Sequence, residues 1–252
     1  MKKARYVLMV LSGKGGVGKT TVAVNLASAL AHGHRVGLLD ADLHGPNVPK
    51  MLGLEGTTLR VHGGKIVPAV TPDNLLVVSL EFALPSADAP VIWRGPLKMK
   101  AIQQFVEDVD WGDLDLLVVD LPPGTGDEPL SVAQLLSPVD AALIVTTPQE
   151  VALLDAKKAA NFARKVGVQR VGVVENMAGL RCPHCGKEIK LFGEGGAERM
   201  AKEMGLEFLG RLPFFPEVVA AGDGGKPLHF SSEARAAFLA LAEKVWDFLG
   251  GS

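Results

Sequence analysis

The chain has little cysteine, no excess of charge of either sign and no long apolar run. Cys182 and Cys185 are its only two cysteines among 252 residues, too few for the disulfide framework of a small secreted fold. Lys+Arg number 26 against Asp+Glu 28, for a formal net charge of -2. The basic stripe of a nucleic-acid binder is therefore missing, and no nucleic-acid partner is expected. No window reaches the ~18 uninterrupted apolar residues of a membrane span. The opening "MKKARYVLMVL" imitates a secretory leader, but "SGKGGVGK" breaks its apolar run after Leu11, too early for a signal h-region. These absences point to a cytoplasmic protein whose two thiols are reduced, and whose attraction for phosphate has to be local.

What is present is a chain that is 48% hydrophobic and 21% charged, enough apolar matter for a substantial core. One domain spanning 1–252 is expected. Six short runs are rich in Val and Leu and mostly unalternated: Arg5 to Leu11, Arg35 to Asp40, Leu75 to Leu80, Asp115 to Asp120, Ala141 to Thr147 and Arg170 to Asn176. Strands covered on both faces read this way. Between and after them lie helical patterns at Lys19 to His32, Leu97 to Val109, Glu128 to Leu136, Val151 to Val166, Gly196 to Met204 and Ser232 to Leu249. The alternation predicts an α/β fold, a doubly wound and mostly parallel sheet with helices on both faces. Gly63-Gly64, between two β-prone runs in Leu59 to Val70, predicts a hairpin excursion.

The strongest signal is "GKGGVGKTT", Gly13 to Thr21. It fits G-x-x-x-x-G-K-[ST] in full and lies where a strand passes into a helix. Gly13, Gly15, Gly16 and Gly18 let backbone N–H groups, including that of Val17, turn inward around phosphates, and the positive end of the following helix adds to the attraction. Lys19 is expected to reach the β- and γ-phosphates of ATP, with the Thr20 hydroxyl on magnesium and Thr21 beside it.

In an open α/β sheet, ligands lie beyond the carboxyl ends of the strands. Asp40 and Asp42 close one run there and Asp120 another. Two apart on an extended strand, Asp40 and Asp42 are expected to point the same way, one ordering magnesium's water shell and the other orienting an attacking water. Asp120 resembles the acid that ends the second nucleotide strand of P-loop NTPases and holds magnesium through water.

Lys14, the extra lysine of "GKGGVGKTT", resembles the deviant Walker A signature of the MinD, ParA and nitrogenase-iron-protein class of dimeric ATPases. Within that class, "DADLHGPNVPKMLGL", "WRGPLK", "DLPPGTGD" and "CPHC" are together similar to the Mrp/ApbC iron-sulfur cluster carriers, over a stretch from about Val7 to the final helix. Asn47 and Leu97 depart from the family's usual serine and methionine, and the additional N-terminal assembly domain of many relatives is not expected, since Tyr6 already begins the first strand. The resemblance implies a homodimer in which Lys14 reaches across to the partner's phosphates. It assigns Lys19 to phosphate, Thr20 and Asp40 to magnesium, Asp42 to the attacking water, and Asp120 and Asp127 to the second switch. It also implies that Asn176 hydrogen-bonds adenine and that "RLPFFPEV", Pro213 included, lines the base. The implied activity is slow ATP hydrolysis coupled to carriage of a cluster from an assembly scaffold to apo iron-sulfur proteins. A ParA- or MinD-type positioning ATPase fits the same fold but leaves "CPHC" unexplained.

Cys182 and Cys185 stand at C-x-x-C spacing in a loop at about 177–195. A tetrahedral zinc or a four-iron four-sulfur cluster wants four ligands, and one chain supplies two thiolates. A symmetric dimer brings the same loop twice to one axis, so that four thiolates can hold a bridging four-iron four-sulfur cluster or, as the alternative, zinc. His184 is expected to be a spacer. A thioredoxin-like redox pair would open a helix, whereas Gly186 and "KEIK" predict a turn. In the final helix Ala237, Leu241, Val245 and Phe248 form one face, but Glu233, Glu243 and Asp247 face Arg235 and Lys244 in a mixed polar face. A membrane-seeking helix would be basic there, so packing on the sheet is expected and no membrane partner.

Overall fold

Runs of Leu, Val and Ala that are buried on both faces build the centre of the molecule. In the computed structural model, which describes residues 4–42, 45, 47–83, 95–182, 184–228 and 232–251, the chain runs as follows. β1 (Tyr6–Leu11), α1 (Lys19–Ala31), β2 (Val36–Asp40) and α2 (Val48–Met51) come first. They are followed by β3 (Arg60–His62), β4 (Lys65–Val67), β5 (Ala69–Val70), β6 (Leu76–Ser79) and a 3-10 turn at Leu80–Ala83. Then come α3 (Gly95–Glu107), β7 (Leu116–Asp120), α4 (Asp127–Leu136), β8 (Ala141–Thr146), α5 (Glu150–Lys165) and β9 (Arg170–Asn176). The remainder is β10 (Leu180–Arg181), β11 (Glu188–Ile189), α6 (Gly196–Met204), β12 (Glu207–Leu212), α7 (Pro216–Asp223) and α8 (Ser232–Leu249). The Trp93-Arg94 pair lies outside the described residues.

Eight strands form one sheet in the order β12-β9-β8-β1-β7-β2-β6-β5. All neighbours are parallel except the antiparallel edge pair of β5 and β6. Successive residues of each strand serve opposite faces. Met9, Leu117 and Val119 join one core with Phe105 of α3, Val132 of α4, Ala156 and Ala160 of α5 and Met200 of α6. Leu8, Leu116 and Val118 join the other with Val22 and Leu26 of α1 and Phe238 and Leu241 of α8. Leu117 is fully buried between β1 and β2; its truncation to Ala costs roughly 2–5 kcal/mol.

α1 is apolar nearly all round because it is enclosed by the sheet on one side and α8 on the other. The final helix does pack as expected, although the buried stripe is Ala234, Phe238, Leu241, Ala242, Val245 and Leu249, with Ala237 and Phe248 only partly covered. Among the described residues no helix is long and apolar enough to cross a membrane. The excursion at Gly63-Gly64 is the β3–β4 hairpin, both glycines at positive φ, as a tight two-residue turn requires. All six strand runs and six helical patterns form elements of their type; α2, β10, β11, β12 and α7 were not foreseen.

Candidate functional site

The register of β1, β7 and β2 decides what meets. Val10 lies beside Asp120, and Asp120 beside Asp40, so three parallel strands deliver the start of the glycine loop and two carboxylates to one rim. The loop from Gly13 to Gly18 joins β1 to α1. Gly16 and Gly18 both have φ of 81, a left-handed backbone that favours glycine. A Cβ on Gly15 or Gly16 would meet nothing, whereas on Gly13 it would strike the backbone of Asp155 at 2.2 Å, and on Gly18 the amide of Asn176 at 2.3 Å. The loop is thus seated closely against α5 and β9 and open toward the rim, as a phosphate cradle must be. The Ser12 hydroxyl donates to the Lys14 carbonyl at 2.9 Å and the Ser12 carbonyl accepts the Gly124 N–H at 2.9 Å, tying the glycine loop to the loop that follows β7. Lys14 is half-buried.

Lys19 points inward, 6% exposed, and its Nζ lies 2.6 Å from Oδ1 of Asp120, which is 0% exposed. The Thr20 hydroxyl donates to the other carboxylate oxygen of Asp120 at 2.6 Å. Asp40, 1% exposed, accepts the Ser79 hydroxyl at 3.0 Å and the Asp42 N–H at 3.2 Å. Burial pushes both carboxyls above their ordinary range, Asp40 by a wide margin. The neighbouring carboxylate of Asp120 adds to the rise at Asp40, while Ser79 and Lys19 oppose it; at Asp120 the ammonium of Lys19 opposes burial. Two desolvated acids on neighbouring strands, with one ammonium bonded to Asp120, form an environment that a divalent cation relieves.

The extended strand assumed for Asp40 and Asp42 stops short of Asp42, although the Asp42 charge still reaches Asp120 and adds to the rise of its pKa. β2 ends at Asp40, and the chain turns so that the Asp42 N–H returns to the Asp40 carboxylate; Asp40 is enclosed and Asp42 half-buried. Among the described residues no three His, Cys, Asp or Glu side chains form a metal cage. That donor set still fits magnesium, which keeps most of its waters and takes few direct protein ligands beside phosphate. Thr20 would hold it directly, with Asp40 and Asp120 acting on its water shell.

Asn176 ends β9 beside the loop. Its amide nitrogen donates to the Val17 carbonyl at 2.9 Å, which leaves its second N–H and its amide oxygen as the groups that could meet a base. With Thr21, Met177, Pro213, Phe214 and Phe215 it lines a small apolar cleft, so Pro213 and Asn176 line the same space. Asp127 is exposed at the start of α4. Sequence reasoning missed Ser79, the one polar residue in "LLVVSL" and fully buried on the ligand rim beside Asp40. Its signal was a hydroxyl at the carboxyl end of an otherwise apolar strand.

The two cysteines occupy the tip of the β10–β11 hairpin. The Cys182 N–H donates to the Lys187 carbonyl at 2.8 Å and the Gly186 N–H to the Cys182 carbonyl at 2.9 Å. Gly186 has φ 69, so the chain turns here and opens no helix. Backbone N–H groups of Cys185 and His184, then the Cys185 thiol, point at the Cys182 sulfur and draw its pKa below the ordinary thiol range. Cys182 is half-buried, Cys185 and His184 exposed. This is a knuckle that presents thiolates to the outside with no third metal ligand nearby among the described residues.

Comparison with known proteins agrees with this geometry. The family model described as "NUBPL iron-transfer P-loop NTPase", of the ParA group, matches residues 3–246. A protein of Methanocaldococcus jannaschii named iron-sulfur cluster carrier protein is 50% identical over 229 residues, 90% of this chain and 79% of that protein. Among solved structures, a nucleotide-binding protein of Archaeoglobus fulgidus, in complex with ADP and with cobalt, is 37% identical; the match covers 94% of this chain and 93% of that one at a TM-score of 0.80. The cell division ATPase MinD of Pyrococcus furiosus is 26% identical, with 96% and 98% covered and a TM-score of 0.70. The doubly wound sheet, the complete glycine loop and the match along nearly the whole length together place the chain in the family of NUBPL iron-transfer P-loop NTPases.

Proposed function

We propose that two copies of this chain form a cytoplasmic ATPase that binds a four-iron four-sulfur cluster between their cysteine hairpins and delivers it to apo iron-sulfur proteins, having received it from an assembly scaffold. The carrying observation is the knuckle. Each hairpin offers two outward-facing thiols, one of them acidified by backbone N–H groups, and no further ligand nearby among the described residues. A site that lacks half its ligands within one chain is completed by a second copy on a two-fold axis. Thiolates at an exposed junction can also part again, which suits cargo. The name of the Methanocaldococcus relative supports the same reading.

The nucleotide site supplies the control. Lys19, the loop amides from Gly13 to Thr21, and Thr20 with Asp40 and Asp120 would hold magnesium ATP, with Asn176 and Pro213 at the base. Asp42 would orient the attacking water and Lys14 would reach the partner's phosphates, so that hydrolysis requires the dimer and is slow. The whole of 1–252 serves as one nucleotide-binding unit.

The test is iron, sulfide and zinc content after anaerobic purification and reconstitution, followed by transfer to an apo-enzyme whose activity reports cluster arrival. About four irons and four sulfides per dimer are expected. Cys182→Ala and Cys185→Ala should each abolish them while leaving ATP binding intact, and His184→Ala should change little. Tightly held stoichiometric zinc with no iron uptake would establish a zinc-stapled dimer instead.

A further inference from the structure

Glu175 is a fully buried carboxylate that the nucleotide chemistry does not use. It precedes Asn176 at the end of β9, and between them these neighbours touch both sites. Asn176 donates to the Val17 carbonyl in the glycine loop. Glu175 accepts the Gly195 N–H at 3.0 Å and the Ala197 N–H at 2.7 Å, the point where the cysteine loop re-enters the fold at α6. Arg211 Nε lies 3.2 Å from the same carboxylate. The loop's departing end is pinned as well, since the Ala178 N–H donates to the Leu212 carbonyl at 3.0 Å and the Phe214 N–H to the Gly179 carbonyl at 2.7 Å. The departing foot thus continues directly from Asn176 and is tied to the end of β12, while the returning foot is held by Glu175.

The Glu175-Asn176 step of β9 is in close contact with the glycine loop. The Asn176 amide fills the space that a side chain on Gly18 would need, and Met177, the first residue beyond β9, is held at φ 56, a left-handed backbone that a non-glycine residue keeps only when its surroundings impose it. We infer that Glu175 is a positioning residue that couples the two sites: a shift of the glycine loop around phosphate is carried through Val17 and Asn176 to the β9 end, and Glu175 passes it to the returning foot of the cysteine loop. The inference rests on the proposed nucleotide and metal sites and adds the route between them. Coupling of this kind is reciprocal, so metal on the cysteines alters nucleotide affinity by the same factor.

The experiment titrates cobalt(II) onto the thiols of the full-length protein, with and without saturating magnesium and a non-hydrolysable ATP analogue. Protein concentrations are chosen so that light scattering gives one mass in both conditions and assembly adds nothing. In the wild type, cobalt affinity should change by about fivefold or more, the lower end of ordinary allosteric coupling. Glu175→Gln keeps the shape but sets an N–H donor against an N–H donor; it should bind cobalt and analogue separately as the wild type does while the coupling factor falls below about twofold. Arg211→Lys, which keeps the charge and loses the Nε contact, should lower the factor too, and serves if the first variant does not fold. Wild-type binding of both probes without coupling, or full coupling in the variants, overturns the route alone. Failure of the wild type to bind the analogue or cobalt overturns the site assignments beneath it.

Discussion

Lys19 and Asp120 are joined at 2.6 Å inside the protein, 6% and 0% exposed, so the ammonium proposed to bind phosphate and the carboxylate proposed to order magnesium's water shell satisfy each other. A buried pair of this kind adds little net stability, yet removing one partner is costly because the other charge is left alone in low dielectric. Thr20 holds the second carboxylate oxygen. All three groups are thereby kept in the rotamers from which phosphate and magnesium can take them over.

Lys19→Ala should abolish binding of a fluorescent ATP analogue and also lower stability to urea by roughly 3 kcal/mol. Adding Asp120→Asn should restore most of the stability and none of the binding. A double-mutant cycle in urea measures the interaction; additive losses would show that the pair is not coupled.

Asp40 gives a pH dependence of known sign. Its folded pKa is raised well above the ordinary 3.8, first by burial and then by Asp120, so between the unfolded and folded values the native state binds the extra proton. Stability therefore falls as pH rises through that window, and above it the ionised group is a burden. Asp40→Asn can keep both partners, accepting from the Asp42 N–H and donating to Ser79. It should melt higher than the wild type at pH above that window, lose much of the wild type's gain on acidification through it, and weaken magnesium-dependent nucleotide binding. Calorimetry as a function of pH would reveal an error if the wild type gains nothing on acidification, or if the variant gains as much.

Much of this site was legible because its parts are local. The glycine loop is nine consecutive residues, and Asp40 and Asp120 each close a run of buried aliphatics, so strand ends and rim could be placed without tertiary information. What stayed hidden depends on partners far along the chain. Glu175 reads as a charged residue in "VVEN", and its meaning appears only when Gly195, Ala197 and Arg211 return to it. β12 was missed because "EFLGRL" is a half-exposed edge strand with a register shift between Phe208 and Gly210, lacking the continuous apolar signal of the central strands. The turn after Asp40 was not legible, because nothing in "LLDAD" says that the strand stops there.

Lys14 and Asp42 should separate assembly from hydrolysis. The Ser12 hydroxyl fixes the Lys14 carbonyl, so truncating the side chain should leave the glycine loop in place. Lys14→Ala should bind nucleotide, dimerise poorly and lose about 10²-fold or more in turnover, the usual loss when a positioned charge is removed from a transition state. Asp42→Ala should retain ATP and accumulate the dimer with turnover similarly reduced. Light scattering and phosphate release read both; undiminished hydrolysis in either variant would remove that residue from the reaction.

The acidity of Cys182 can be measured before any cluster is built. N–H groups of Cys185 and His184 are the first causes of its depressed pKa and the Cys185 thiol the third; the backbone donors belong to the turn and survive side-chain truncation. Cys185→Ala therefore leaves Cys182 as the only thiol, still acidified by two donors but without the third. The rate of its alkylation by iodoacetamide follows the thiolate fraction, so plotted against pH it should reach its midpoint below the ordinary 9.0. Changing Gly186 to a β-branched residue such as Val in the same background should move that midpoint upward, because φ 69 at Gly186 is a backbone such residues resist and the turn that aims the donors would be lost. A low midpoint matters for cargo: fewer protons must be displaced to form metal–thiolate bonds at neutral pH. An ordinary midpoint in Cys185→Ala would mean that the knuckle does not prepare its sulfur, and that cluster binding depends wholly on the meeting of two hairpins.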